Sequence, residues 1–309
     1  MSKEQYDLRE PSPRDYDPLP PPEQVMTIGI GFNCNDGIVI AADTQCTRGA
    51  DKSHGPKIFP LFTPVERPDL AVVIAGAGRV GFMKRAVQKI EAALTGFSEP
   101  SLKNVQDIVE AELLDFYETH VNASADPSKS GFELILGVWT KKDGYTLLKT
   151  DDTTVTPVKP HGSGYCSIGM GQHVSEYALG LTYPRSGTSV ESGTIIAAQC
   201  IKAAKDYVDN CGGKTHIWTL KEDGSGFHLH RIVPVEVTDA ETYSDDLFDT
   251  MRMILESLDP SAQLDNESVA LMTDYLKDII IQFREKQQER RERLANAQEK
   301  ALAKHAKQS

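Results

Sequence analysis

Residues 26–57 read MTIGIGFNCNDGIVIAADTQCTRGADKSHGPK, and this stretch decides the fold. From Thr27, the run TIGIGF, the turn Asn35-Asp36-Gly37 and the run IVIAAD form the pattern of two short strands around a hairpin, with Asp43 closing the second. The loop CTRGADKSHGP follows, and then Lys57-Ile58-Phe59 opens another strand. The stretch begins with a threonine directly behind a methionine. Were the chain to begin at Thr27, one residue would carry both a hydroxyl nucleophile and an α-amine of pKa about 8.

Ahead of this stretch, residues 1–25 hold six of the 17 prolines among charged side chains and almost nothing apolar. Such a segment cannot build a core, so residues 1–26 are expected to be a disordered leader or propeptide.

Downstream, a strand around Ala71 to Ala75 is expected to close on a small-residue turn, Ala75 to Gly78. Two helices follow, Val80 to Leu94 and Val105 to Val121, each with apolar residues at helical spacing. Strand signals return in FELILGVW (132–139), YTLLKT (145–150) and YCSIGMG (165–171). A second helix pair is expected over 174–181 and 192–208, ending before Cys211-Gly212-Gly213, where glycines suit a helix exit. THIWTL (215–220) and HLHRIVPV (228–235) are the last strands.

Strand pairs alternating with helix pairs imply an α+β layered fold with antiparallel sheets rather than βαβ winding. Two facing sheets, each covered by a helix pair, would bury every element. The expected architecture is therefore a four-layer α-β-β-α sandwich over 27–238. Residues 239–309 are an expected helical extension: a helix near 245–258, a break at Pro260, and a long helix from about Asn266 striped by Val269, Met272, Leu276, Ile279, Ile280 and Phe283. Its tail, 284–309, carries eight Lys/Arg against four Glu and reads as a solvated, charged end.

Composition narrows the function. The formal net charge of −12 argues against a general nucleic-acid binder. No apolar run is long enough to span a bilayer and no secretion signal opens the chain, so no membrane association and a cytoplasmic location are expected. The five cysteines (Cys34, Cys46, Cys166, Cys200 and Cys211) have no CxxC spacing, which suggests buried thiols and no metal site.

The spacing from Thr27 through the Gly37 turn to Asp43, then Lys57-Ile58, the Ala75 to Gly78 segment, Gly169-Met170-Gly171 and the exit at Cys211-Gly212-Gly213 resembles a proteasome β-type subunit of the N-terminal nucleophile hydrolase superfamily. The resemblance covers about residues 27–235. It implies the same four-layer sandwich, a threonine-type peptidase acting on peptides or unfolded proteins, assembly with like subunits into a ring, and no cofactor. It also implies site residues. Thr27 would be nucleophile and base, Lys57 would lower its pKa, and Asp43 would orient that lysine. Gly76 would offer a backbone N–H to the oxyanion, Ile74 would floor the substrate pocket, and Asp209 would support the site, with Asp206 as its rival.

Elementary chemistry supports these roles. A buried ammonium beside an amine keeps that amine neutral, a carboxylate offsets part of the cost of burying the lysine, and a positioned backbone N–H stabilises an oxyanion by about 3 kcal/mol. The chain departs from the family pattern at Met26, where glycine usually precedes the threonine, at Met170 and Cys211, where serines usually stand, and in a 43–57 loop about two residues short. A starting methionine before threonine is a substrate for methionine aminopeptidase, so translation from Met26, or removal of the leader by a protease, would each expose Thr27. A non-catalytic structural subunit and a small-molecule amide hydrolase of the same superfamily are the alternatives these residues leave open.

Overall fold

The computed structural model describes residues 27–48, 51–124, 131–159, 164–184, 187–223 and 226–257, with helical backbone at separate positions between 267 and 292. The expected leader, 1–26, and the expected apolar stripe beyond Val269 lie outside the described residues.

Strands β1 (Gly29–Cys34) and β2 (Gly37–Asp43) form the expected hairpin, and every residue of both is buried. Continuous burial marks strands covered on both faces, which explains the unbroken runs of apolar and small side chains. β1 pairs on its other side with β10 (Tyr165–Ile168), and β2 pairs with β11 (Thr215–Asp223), itself joined to β12 (Gly226–Arg231). The first sheet thus runs β10-β1-β2-β11-β12, antiparallel throughout. The second runs β5-β6-β7-β8-β9, from Ile58–Leu61, Leu70–Gly78, Phe132–Thr140, Gly144–Asp151 and Thr154–Pro157.

The two sheets face each other across a core that includes Ile40, Val73, Ile135, Leu147 and Ile168. Helices α1 (Val80–Thr95) and α2 (Leu102–Phe116) cover the second sheet, burying Met83, Ile90, Val105 and Leu113 against Ile74, Leu134 and Leu136. Helices α3 (Gln172–Thr182) and α4 (Val190–Tyr207) pair with each other over β1, β2 and β11. Ser101 and Ser189 open α2 and α4 by accepting the N–H of Asn104 and of Ser192. The result is the α-β-β-α sandwich. Helix α5 (Pro234–Ser257) begins on a proline, whose fixed φ and missing N–H suit a first helical turn. None of the described helices is long and apolar enough to cross a membrane.

Three local expectations are corrected. The segment after Asp43 is a second hairpin, β3 (Gln45–Arg48) with β4 (Asp51–His54), because Gln45 and Thr47 alternate inward and are buried. Ala75 to Gly78 is the end of strand β6 rather than a turn, held by pairing from Ala75↔Ile135 to Gly78↔Phe132. The last strand stops at Arg231, and the residues from Pro234 are helical.

Candidate active site

Register gathers the site. Gly29 pairs with Ala42 on one side and with Ile168 on the other, so one step further along β1 the neighbours of Ile28 are Asp43 and Gly169. Thr27 stands at the head of this strand, 0% exposed, and its hydroxyl Oγ1 is buried with no hydrogen-bond partner among the described residues. Leaving a buried hydroxyl unpaired costs about 1–3 kcal/mol, which makes this atom conspicuous.

Asp43, also 0% exposed, closes on the same strand from β2. Its Oδ1 accepts the N–H of Ile28 at 3.2 Å, and its own N–H donates to the Ile28 carbonyl at 3.2 Å. Lys57 comes from the second sheet, at the residue before β5, and crosses between the sheets. Its Nζ lies 2.7 Å from Asp43 Oδ1 and also donates to the Gln45 carbonyl. The Lys57 side chain is 1% exposed. Asp43 Oδ2 accepts the N–H of Gly212 at 3.0 Å. Burial pushes the Asp43 carboxyl above its ordinary range, while the Lys57 ammonium and the N–H groups of Gly212 and Ile28 pull it back down.

The loop behind α4 supplies the remaining wall. Thr215 pairs with Asp43, so residues 208–214 pass beside the carboxylate, and Gly212 O accepts the Gln45 N–H at 3.0 Å. Asn210 takes a positive φ of 72° and the Cys211 N–H donates to Val208 O, a turn that buries Cys211 and leaves Asp209 exposed. Burial pushes the Cys211 thiol up to about 12, and the nearby Asp43 carboxylate adds to the rise. A thiol held so far from ionisation is packing, not a nucleophile.

The turn Gly169-Met170-Gly171 covers Thr27 from the β10 side. Gly169 has φ +85°, and a Cβ there would stand 2.2 Å from the Thr27 carbonyl oxygen. Gly171 N–H donates to that oxygen at 3.4 Å. Glycine is required by both the conformation and the contact. Met170, between them, is 56% exposed.

The structure brings Asp43 and Lys57 together at the backbone of Ile28, the residue after Thr27, and places the other expected residues differently. Asp209 is an exposed residue, and Asp206 is ion-paired with Lys202 at 2.6 Å on the outer face of α4. The carboxylate's support comes instead from the Gly212 N–H. Gly76 does lie beside Lys57, but its N–H donates to the Lys57 carbonyl at 3.0 Å, because the β5–β6 pairing runs one residue past Ile58↔Ala75. Ile74 is 0% exposed and packs into the core beneath α1. Gln45 and Glu133, which accepts the Gly169 N–H at 2.9 Å, had no signal of their own, since Gln45 acts through its backbone carbonyl and Glu133 sits in a mostly apolar strand; Gly212 was marked only as a helix exit and acts through its N–H. No group of described His, Cys, Asp and Glu residues could hold a metal ion.

Comparison with known proteins bears on the family and the fold. A family model described as "Proteasome subunit" matches residues 27–219, from the threonine to β11. Among solved structures, Anbu (ancestral beta-subunit) from Yersinia bercovieri is similar at a TM-score of 0.63 and 14% identity, over 78% of this chain and 100% of that one. The helical assembly of the Anbu complex from Pseudomonas aeruginosa gives 0.64 and 14%, over 77% and 99%. An Anbu (Gly-1) mutant from Hyphomicrobium sp. strain MC1 gives 0.62 and 14%, over 77% and 99%. No curated protein matches the sequence.

Proposed function

The chain belongs to the proteasome subunit family, and on that premise we propose that it is a threonine-type peptidase whose nucleophile is Thr27, acting on peptides or unfolded protein chains. Thr27 acts once residues 1–26 are absent and its α-amine is free. Its Oγ then attacks the scissile carbonyl while the amine takes the hydroxyl proton. The tetrahedral intermediate collapses to an ester on Thr27, and the departing amine of the substrate leaves with that proton. Water, deprotonated by the same amine, hydrolyses the ester and restores the hydroxyl.

The observation that carries this reading is the buried Lys57–Asp43 pair, whose Oδ1 also holds the N–H of Ile28. A pair of charges this deep is not a stability device, because apolar residues of similar volume serve folding as well or better. Placed one residue from Thr27, it supplies what the chemistry needs: a fixed positive charge that disfavours protonation of a neighbouring amine.

A second reading, a non-catalytic subunit that keeps the fold, is favoured by the bond from the Gly76 N–H to the Lys57 carbonyl and by the complete burial of Thr27. Hydrolysis of fluorogenic peptides by the chain translated from Met26, against the same chain with Thr27→Ala, separates the two. A rate well above the Thr27→Ala control supports the peptidase, and equal rates support the structural subunit. The similarity to a protein described as a helical assembly supports self-association with like subunits. A cytoplasmic site of action, outside any membrane, completes the reading.

A further inference from the structure

Glu133 and Lys149 are charged residues on the second sheet, and both reach across to the strand that ends beside Thr27. Glu133 lies on β7, opposite Ala77, and its Oε2 accepts the N–H of Gly169 at 2.9 Å. Lys149 lies on β8, opposite Ile135, and its Nζ donates to the Ser167 carbonyl at 2.9 Å. A carboxylate on an N–H and an ammonium on a carbonyl, two residues apart, hold the end of β10 by its backbone. Charge-assisted bonds of this kind are roughly twice as strong as neutral ones.

What the clamp holds matters. Gly169 is the residue whose Cα face lies against the Thr27 carbonyl, and Gly171 donates to that carbonyl. A side chain on Met170 cannot hydrogen-bond the nucleophile residue, so the turn relies on backbone contacts alone to fix Thr27. From these contacts we infer that Glu133 is a positioning residue for the catalytic threonine: by fixing the Gly169–Gly171 turn it fixes the Thr27 backbone, and so the direction of Oγ. Displacement of a reacting group by about 1 Å costs on the order of a hundredfold in rate. The inference rests on the peptidase reading for its kinetic consequence, but its structural part stands apart from it.

Two measurements test it. In the full chain, hydrogen exchange at Gly169 should quicken about tenfold or more in Glu133→Met, which keeps the length and removes the acceptor, and should stay near the parent's in Glu133→Gln, which keeps an acceptor oxygen. In the chain translated from Met26, Glu133→Met should lower kcat about tenfold to a hundredfold with KM within about threefold, and Glu133→Gln should restore most of it. Parental exchange and parental kcat in Glu133→Met would overturn the inference. So would equal loss in the Met and Gln variants, or a loss confined to KM. Should Glu133→Met fail to fold, Glu133→Gln decides alone: near-parental kcat supports the clamp, and a fall to the Thr27→Ala level overturns it. Equal rates for the parent and Thr27→Ala would instead strike the peptidase reading, leaving the exchange result to judge the clamp.

Discussion

Lys57 Nζ lies 2.7 Å from Asp43 Oδ1 with neither side chain reaching solvent, and the two come from different sheets. Lys57→Ala leaves the Asp43 charge buried and unpaired and should destabilise the fold by about 3–5 kcal/mol. Asp43→Asn combined with Lys57→Met removes both charges and should recover most of that loss in urea unfolding. Peptide hydrolysis should be absent from both. Activity in the double variant would show that the pair serves the fold and not the chemistry.

Acid should silence peptide hydrolysis before it unfolds the chain. The Asp43 carboxyl is raised by burial, so it takes up a proton at a pH above the ordinary aspartate value of about 3.9, and Lys57 then loses its partner. Because the folded state binds this proton more tightly than the unfolded state, this group's own contribution to stability grows as pH falls through its raised pKa. A pH profile of kcat recorded beside the Tm should show an acid limb above the ordinary carboxylate range, where protonation of the Thr27 amine and then of Asp43 both remove activity, with no matching contribution from Asp43 to unfolding. An acid limb at or below that range would contradict the assignment.

Gly169→Ala should be among the most damaging single-methyl changes in the molecule. The residue has φ +85° and its Cβ would meet the Thr27 carbonyl oxygen at 2.2 Å. Strain and overlap together should cost about 2 kcal/mol or more, measured by urea unfolding.

Asp209→Asn and Asp206→Asn should each leave stability within about 0.5 kcal/mol and hydrolysis unchanged, since one side chain is exposed and the other is paired on the surface of α4. Cys211→Ser should likewise remain active, because the thiol it replaces is held at about 12 and is not a nucleophile. Loss of activity in Asp209→Asn would return that residue to the site.

Asp43 and Lys57 were legible as neighbours of the residue that heads β1, because each is marked by type and by position at a strand boundary. The four layers were legible for the same reason: continuous apolar strands and amphipathic helix pairs admit few arrangements. Gly76 and Asp209 were misplaced because their expected roles depend on where a backbone N–H points and on which way the turn from Val208 to Cys211 runs. An N–H direction is set by one step of β5–β6 register, and the side on which Asp209 emerges by the positive φ at Asn210. Glu133 could not be singled out, since only the packing of one sheet on the other brings β7 to the end of β10. The β3–β4 hairpin was hidden by polar residues that alternate inward without being apolar.

The central claim is that the Thr27 hydroxyl becomes a nucleophile when residues 1–26 are gone. The most direct measurement is covalent capture by a β-lactone, an electrophile that acylates activated hydroxyls, read by intact mass and fragment mapping. The account predicts one adduct, on Thr27, in the chain whose first residue is Thr27. It predicts none in the chain that retains residues 1–26 and none in Thr27→Ala. An adduct on another residue, or equal labelling with and without the preceding 26 residues, would contradict it.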